Sequence, residues 1–84
     1  MNNNQILTEL KNIVKPYTKN DEAFENFTEE TNFITDLNIN SANLVDIVLD
    51  VEEAFDIIID NESMEKMINA KVALSVIQAK LDEK

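Results

Sequence analysis

Ser41 is the residue of this 84-residue chain best placed to carry chemistry. It follows Asn40 where a long loop gives way to an amphipathic run, so the spacing puts it at the start of a helix. There the free backbone N–H groups and the positive end of the helix dipole favour an anion, such as a phosphodiester on a side-chain oxygen. A residue at that point is held by the helix yet faces solvent, so a modifying enzyme can reach its hydroxyl. Ser and Asn are also common helix caps, and capping alone accounts for both residues. The chain has no His, Cys or Arg, which removes the usual general base, the usual nucleophile and the bidentate anion clamp. Ser41 therefore lacks a base to activate it, and a reaction at its hydroxyl requires another enzyme. The same composition argues against the chain being an enzyme.

The second candidate feature is charge. Residues 21–65 hold fourteen acids and no lysine, whereas the rest holds three acids and seven lysines, so −14 here and +4 elsewhere give the net −10. Such a segment repels nucleic-acid phosphates and anionic lipid, and attracts basic protein patches. Solubility alone is the plainer reading, and the placement of the acids decides between them. On a helix over 41–55, ~100° steps gather Leu44, Ile47, Val48, Val51 and Phe55 in one core-facing sector. Asp46, Asp50 and Glu53 fall opposite. Ala42, Val45 and Leu49 lie beside the acids, outside the core sector. An apolar stripe edged by carboxylates suits docking of a basic partner; a broad buried face is the other reading.

Other elements must position that helix. Ile6, Leu10, Ile13 and Tyr17, widened by Leu7 and Val14, predict a first helix with Asn3 or Asn4 as its cap, ending near Lys15 because Pro16 follows. Residues 18–40 show no sustained period. Phe24, Phe27, Phe33, Ile34, Leu37 and Ile39 would pin them over the core, with one short helical turn after Asp21. Ile57, Ile58 and Ile59 are β-branched and predict an extended connection. Asp60 or Asn61 would cap a short helix through Met64, Met67 and Ile68. A last helix over 71–81 carries Val72, Val76 and Ala79 on one side and Leu74, Ile77 and Leu81 on another. Three longer helices, one short helix and no strand pattern predict an all-α bundle in one domain, 1–84. Stabilisation must come from packing, since without Cys there is no disulfide or thiolate metal site. The missing Cys also suits a cytoplasmic protein. No stretch approaches the ~18 apolar residues of a membrane span, and the opening Met-Asn-Asn-Asn is too polar for a signal peptide.

Phe33-Ile34-Thr35-Asp36-Leu37-Asn38-Ile39-Asn40-Ser41-Ala42-Asn43 and the helix that follows, closing on Glu52-Glu53-Ala54-Phe55, resemble the signature of acyl carrier proteins. The family pattern is Phe-x-x-Asp-Leu-Gly-x-Asp-Ser-Leu-Asp, then an amphipathic helix ending Glu-Glu-x-Phe. The resemblance covers positions 33–57 closely and the rest of the chain more loosely, through length, acidity, the long first loop and helix order. It implies that Ser41 carries 4′-phosphopantetheine, transferred from coenzyme A by a phosphopantetheinyl transferase that uses Mg²⁺. Acyl groups would ride as thioesters on the arm's thiol, and an apolar cleft between the helices could shelter a short acyl chain. It also implies that synthase and acyl-transferring enzymes meet a monomeric carrier through Ala42, Val45, Asp46, Leu49, Asp50 and Glu53, with no nucleic acid and no membrane insertion.

This chain departs from the pattern at four positions. Asn38 replaces Gly, a mild change because Asn tolerates a left-handed turn. Asn40 and Asn43 replace acids, and Ala42 replaces Leu. These changes bear on which transferase and partners the chain uses, and they suit a specialised pathway in fatty-acid or polyketide-like synthesis. Two alternatives stand: an aminoacyl or peptidyl carrier, and an acidic helical interaction or inhibitor protein in which Ser41 is only a cap. A calcium-binding EF-hand is set aside for want of its central Gly.

Overall fold

The computed structural model describes residues 2–83 and is helical, without a strand among them. Helix α1 spans Asn3–Val14, α2 Asp21–Glu25, α3 Asn43–Phe55, α4 Asn61–Lys66 and α5 Ala70–Asp82, with a 3₁₀ turn at Lys15–Tyr17. Three long helices thus carry the bundle, as expected, and α2 adds a second short one. Helix α1 packs against both α3 and α5.

Each long helix buries part of the stripe expected of it, and on α1 Leu7 and Ile13, with Tyr17 just beyond, are half-buried at its edge. Ile6, Leu10 and Val14 from α1 meet Ile47, Val48, Val51 and Phe55 from α3 and Leu74 and Ile77 from α5. Two expectations need correction here. Leu44 is only half-buried. On α5 the core side is Ala70, Ala73, Leu74 and Ile77, while Val72 and Val76 are half-buried and Ala79 is exposed. The two alanines allow close approach to α1, and their small size hid them from a reading based on large apolar residues.

Side-chain capping sets the boundaries. Helix α1 is capped by Asn2, not by Asn3 or Asn4. Asn2 accepts from the Gln5 backbone N–H at 2.8 Å and Gln5 Oε1 accepts from the Asn2 N–H at 3.0 Å, a reciprocal capping box. Pro16 does end α1, which tightens into the 3₁₀ turn. Asn20 caps α2, Asp60 caps α4 and Asn69 caps α5. Helix α4 stops at Lys66, so Met67 and Ile68 fall beyond it; Met67 is buried and Ile68 exposed. In the connection before it, Ile57 and Ile59 point inward and Ile58 is 83% exposed, the alternation of extended chain.

The long connection 26–42 is tied down by its backbone. Phe33 N–H donates to Ile68 C=O at 2.8 Å, Ala70 N–H to Thr31 C=O at 2.9 Å and Lys71 N–H to Glu29 C=O at 2.7 Å. These bonds fasten the loop to the start of α5. Phe33, Leu37 and Ile39 are buried, and Phe24 and Phe27 pack partly against the core.

Candidate functional site

The segment before α3 is built residue by residue. Asn32 Oδ1 accepts from the N–H groups of Ile34 and Thr35, both at 2.9 Å, and Asp36 Oδ2 accepts from Asn32 N–H at 2.8 Å. Asp36 is therefore occupied in folding the loop. Leu37 and Ile39 drop into the core on either side of Asn38. Asn38 takes the left-handed conformation, φ 56°, the geometry in which Asn is tolerated and Gly most at ease. This reversal throws Asn40 and Ser41 outward.

Ser41 is exposed. Its hydroxyl engages no group among the described residues. Asn40, not Ser41, organises the turn: its Oδ1 accepts from Ala42 N–H at 2.9 Å, and its carbonyl accepts from Asn43 N–H at 2.8 Å. Ser41 contributes its carbonyl to Leu44 N–H at 3.1 Å. Regular helix then begins at Asn43, two residues later than the hydrophobic period suggested. Helix α3 has no side-chain cap among the described residues, Asn40 holds the turn before it, and the serine oxygen stays free. A phosphodiester fits such a position: an unengaged hydroxyl on a fixed backbone, with solvent access and the first N–H groups of α3 nearby.

Helix α3 presents the expected mixed face. Ala42, Val45, Asp46, Leu49, Asp50 and Glu53 are all exposed, Val45 by 47% and Leu49 by 56%. None of the three acids forms an ion pair among the described residues. They are not equivalent, however. Asp50 Oδ2 accepts the Tyr17 hydroxyl proton at 2.7 Å, linking α3 to the end of α1. That bond, with desolvation and the charges of Asp50 and Asp46, holds the Tyr17 phenol above its ordinary pKa. Tyr17, placed by its spacing on the core stripe of α1, is in fact half-buried with its oxygen turned to α3. Spacing gives the side of a helix and not where the tip of a long side chain ends. Glu52 is also committed, accepting from Ile59 N–H at 2.7 Å and so pinning the connection to α4. Asp46 and Glu53 remain the acids without an internal partner among the described residues.

Away from the site, Asp60 joins α4 to α5. It accepts from the Ser63 hydroxyl at 2.8 Å and the Ser63 N–H at 3.2 Å, and lies 3.3 Å from Lys80 Nζ. These contacts, the Ser63 bonds foremost, lower its pKa to about 2. The interior is closed, with Ile6, Leu10, Leu37, Ile47, Val51 and Ile77 at most 2% exposed. An acyl chain sheltered between the helices would have to part this packing. No group of three or more metal-ligating side chains occurs among the described residues, and no helix is long and apolar enough to cross a membrane.

No family model matches the chain. Individual relatives do. The chain is similar to the acyl carrier protein of Coprothermobacter proteolyticus, with 33% identity over 81 residues and 96% of both chains covered. It matches the acyl carrier protein of Thermotoga maritima at 34% over 77 residues, covering 92% of this chain and 93% of the relative. With that of Desulforapulum autotrophicum it shares 39% over 56 residues, 67% of this chain and 73% of the relative.

Proposed function

The chain belongs to the acyl carrier protein family, and on that premise we propose that it holds acyl intermediates as thioesters on a 4′-phosphopantetheine arm attached to Ser41. It is a carrier protein of acyl biosynthesis and not an enzyme. The observation that carries the finer reading is the Ser41 hydroxyl, exposed and unengaged beside a turn that Asn40 holds for it.

The attachment step balances as a phosphoryl transfer. The Ser41 oxygen forms a bond to the pantetheine-bearing phosphorus of coenzyme A, and the pyrophosphate bond to that phosphorus breaks, releasing adenosine 3′,5′-bisphosphate. The hydroxyl proton passes to a base of the transferase, since this chain has no His or Cys to take it. Once attached, the arm supplies the thiol on which acyl groups are carried. This chain's own part is to fix the oxygen in space, through Asn40 and the left-handed Asn38, and to present Val45, Leu49, Asp46 and Glu53 to basic partner enzymes.

The placement of α3 charge supports that use of the face. Glu52 and Glu53 stand in the last turn of α3, where the helix dipole disfavours anions. Glu52 recovers this through Ile59, whereas Glu53 has no such return. The reading includes a cytoplasmic setting and a fatty-acid or polyketide-like pathway. Peptide mapping of protein co-produced with an active transferase tests it: the modification should reside on the Ser41 peptide, and an acyl group loaded on the arm should be released by hydroxylamine. A modification on another peptide, or none with any of several transferases, favours the acidic interaction protein instead.

A further inference from the structure

The acids of this chain avoid Ser41. Between Asp36 and Asp46 lie nine uncharged residues, 37–45, with Ser41 at their centre. This is the longest acid-free run within 21–65, a segment in which about one residue in three is acidic. Three of the nine are Asn, the uncharged isostere of Asp, and two of them stand one residue before the serine, Asn40, and two residues after it, Asn43.

Burial accounts for Leu37, Ile39 and the half-buried Leu44, but folding does not explain the uncharged residues at 40 and 43. An Asp at position 40 would accept the Ala42 N–H as Asn40 does, since Asp and Asn both bond the backbone two residues on in such a turn. An Asp at 40 or 43 would also gain from the positive end of α3. Carboxylates are therefore missing where the fold favours them, and present at Glu53 where it does not. Something other than stability sets this distribution.

We propose that the surface around Ser41, formed by Asn40, Ala42, Asn43 and Val45, is cleared of charge to admit an anionic donor at that serine. The enzyme that loads the serine then meets Asn40, Ala42, Asn43 and Val45 through uncharged hydrogen-bonding and apolar groups, and places its cations further along α3, against Asp46 and Glu53. This rests on Ser41 being the attachment site. The chemistry agrees on both sides of the transfer, because the donor pyrophosphate and the product phosphodiester are both anions. A carboxylate at 40 or 43 would repel each of them unless the partner brought a cation to the spot. The family pattern, with acids at both positions, suits a partner that does so; this chain suits one that does not.

The test uses the transferase encoded in the same genome, coenzyme A and Mg²⁺, with loading followed by intact mass. Asn40→Asp, Asn43→Asp and the double variant are compared with wild type across a salt series. Asn12→Asp, on exposed α1 surface, adds the same charge elsewhere. Each site variant should melt no lower than wild type, yet lose about threefold in kcat/KM at low salt, the size of a like-charge contact at ~6 Å in water. The double variant should lose about tenfold, the losses should shrink as salt rises, and Asn12→Asp should load normally. Loading of the double variant at the wild-type rate or faster overturns the inference, as does a loss that salt leaves unchanged. Failure of wild type to load at all instead removes Ser41 as the attachment site.

Discussion

Replacing Asn40 and Ser41 separately by Ala distinguishes a residue that holds the turn from one that only occupies it. Asn40 Oδ1 takes the Ala42 N–H at 2.9 Å, and the Ser41 hydroxyl makes no bond among the described residues. Loss of one intramolecular hydrogen bond that holds a turn costs ~1 kcal/mol, within a span of about 0.5–1.5. For a chain of this length 1 kcal/mol moves Tm by about 4–8 °C. Asn40→Ala should therefore melt several degrees below wild type, while Ser41→Ala should stay within ~0.5 kcal/mol of it. Thermal melts followed by far-ultraviolet circular dichroism, at fixed protein concentration and salt, read both. The consequence for function is direct: Ser41→Ala removes the proposed attachment oxygen from an intact fold, so lost modification would not be lost structure. If Ser41→Ala fell as far as Asn40→Ala, or Asn40→Ala changed nothing, the division of roles in this turn would be wrong.

The acids of α3 should also divide. Asp46→Lys with Glu53→Lys should leave the fold intact and raise Tm at low salt by relieving self-repulsion. It should also slow association with a basic partner enzyme, by an amount that shrinks as salt rises. Asp50→Lys should behave differently, losing the Tyr17 bond and giving up some or all of that gain in Tm. Val45→Ser and Leu49→Ser should weaken binding with little salt dependence, as surface plasmon resonance over a salt series would show. Asp60 is depressed from 3.8 to about 2, so the fold favours its ionised form. Its contribution is complete above its ordinary value and is lost as pH falls through 2. Urea midpoints between pH 5 and 2 should fall less steeply for Asp60→Asn than for wild type. An equal slope would mean that the Ser63 and Lys80 contacts do not hold in solution.

Much of this was legible in the residues. Periodicity gives Ile6, Leu10 and Val14 on α1 and Ile47, Val48, Val51 and Phe55 on α3, all buried, but it also puts Ile13, Tyr17 and Leu44 in those stripes, and they are half-buried. The left-handed turn at Asn38 is implied by the resemblance, whose pattern has Gly there. Local rules left ambiguous which of several adjacent polar residues would cap. Asn2, Asn3 and Asn4 are alike as types, and only the reciprocal bond with Gln5 selects Asn2. At 40–41 both residues favour helix starts, and the contest is settled by three-dimensional geometry. The contacts of Tyr17 with Asp50 and of Glu52 with Ile59 join residues far apart in sequence or across a loop, and no periodicity encodes them. The exposed stripe of Ala42, Val45 and Leu49 was legible as a position. Its use belongs to the partner and is written in neither the sequence nor the fold.

The central claim is that Ser41 carries the arm, and the mass of the intact protein tests it most directly. Wild type and Ser41→Ala are incubated with coenzyme A, Mg²⁺ and a broad-specificity phosphopantetheinyl transferase, with circular dichroism confirming that both are folded. Wild type should gain the mass of one phosphopantetheine and Ser41→Ala should gain nothing. A wild type left unmodified by several transferases, or a Ser41→Ala protein that still gains the mass, would contradict the assignment.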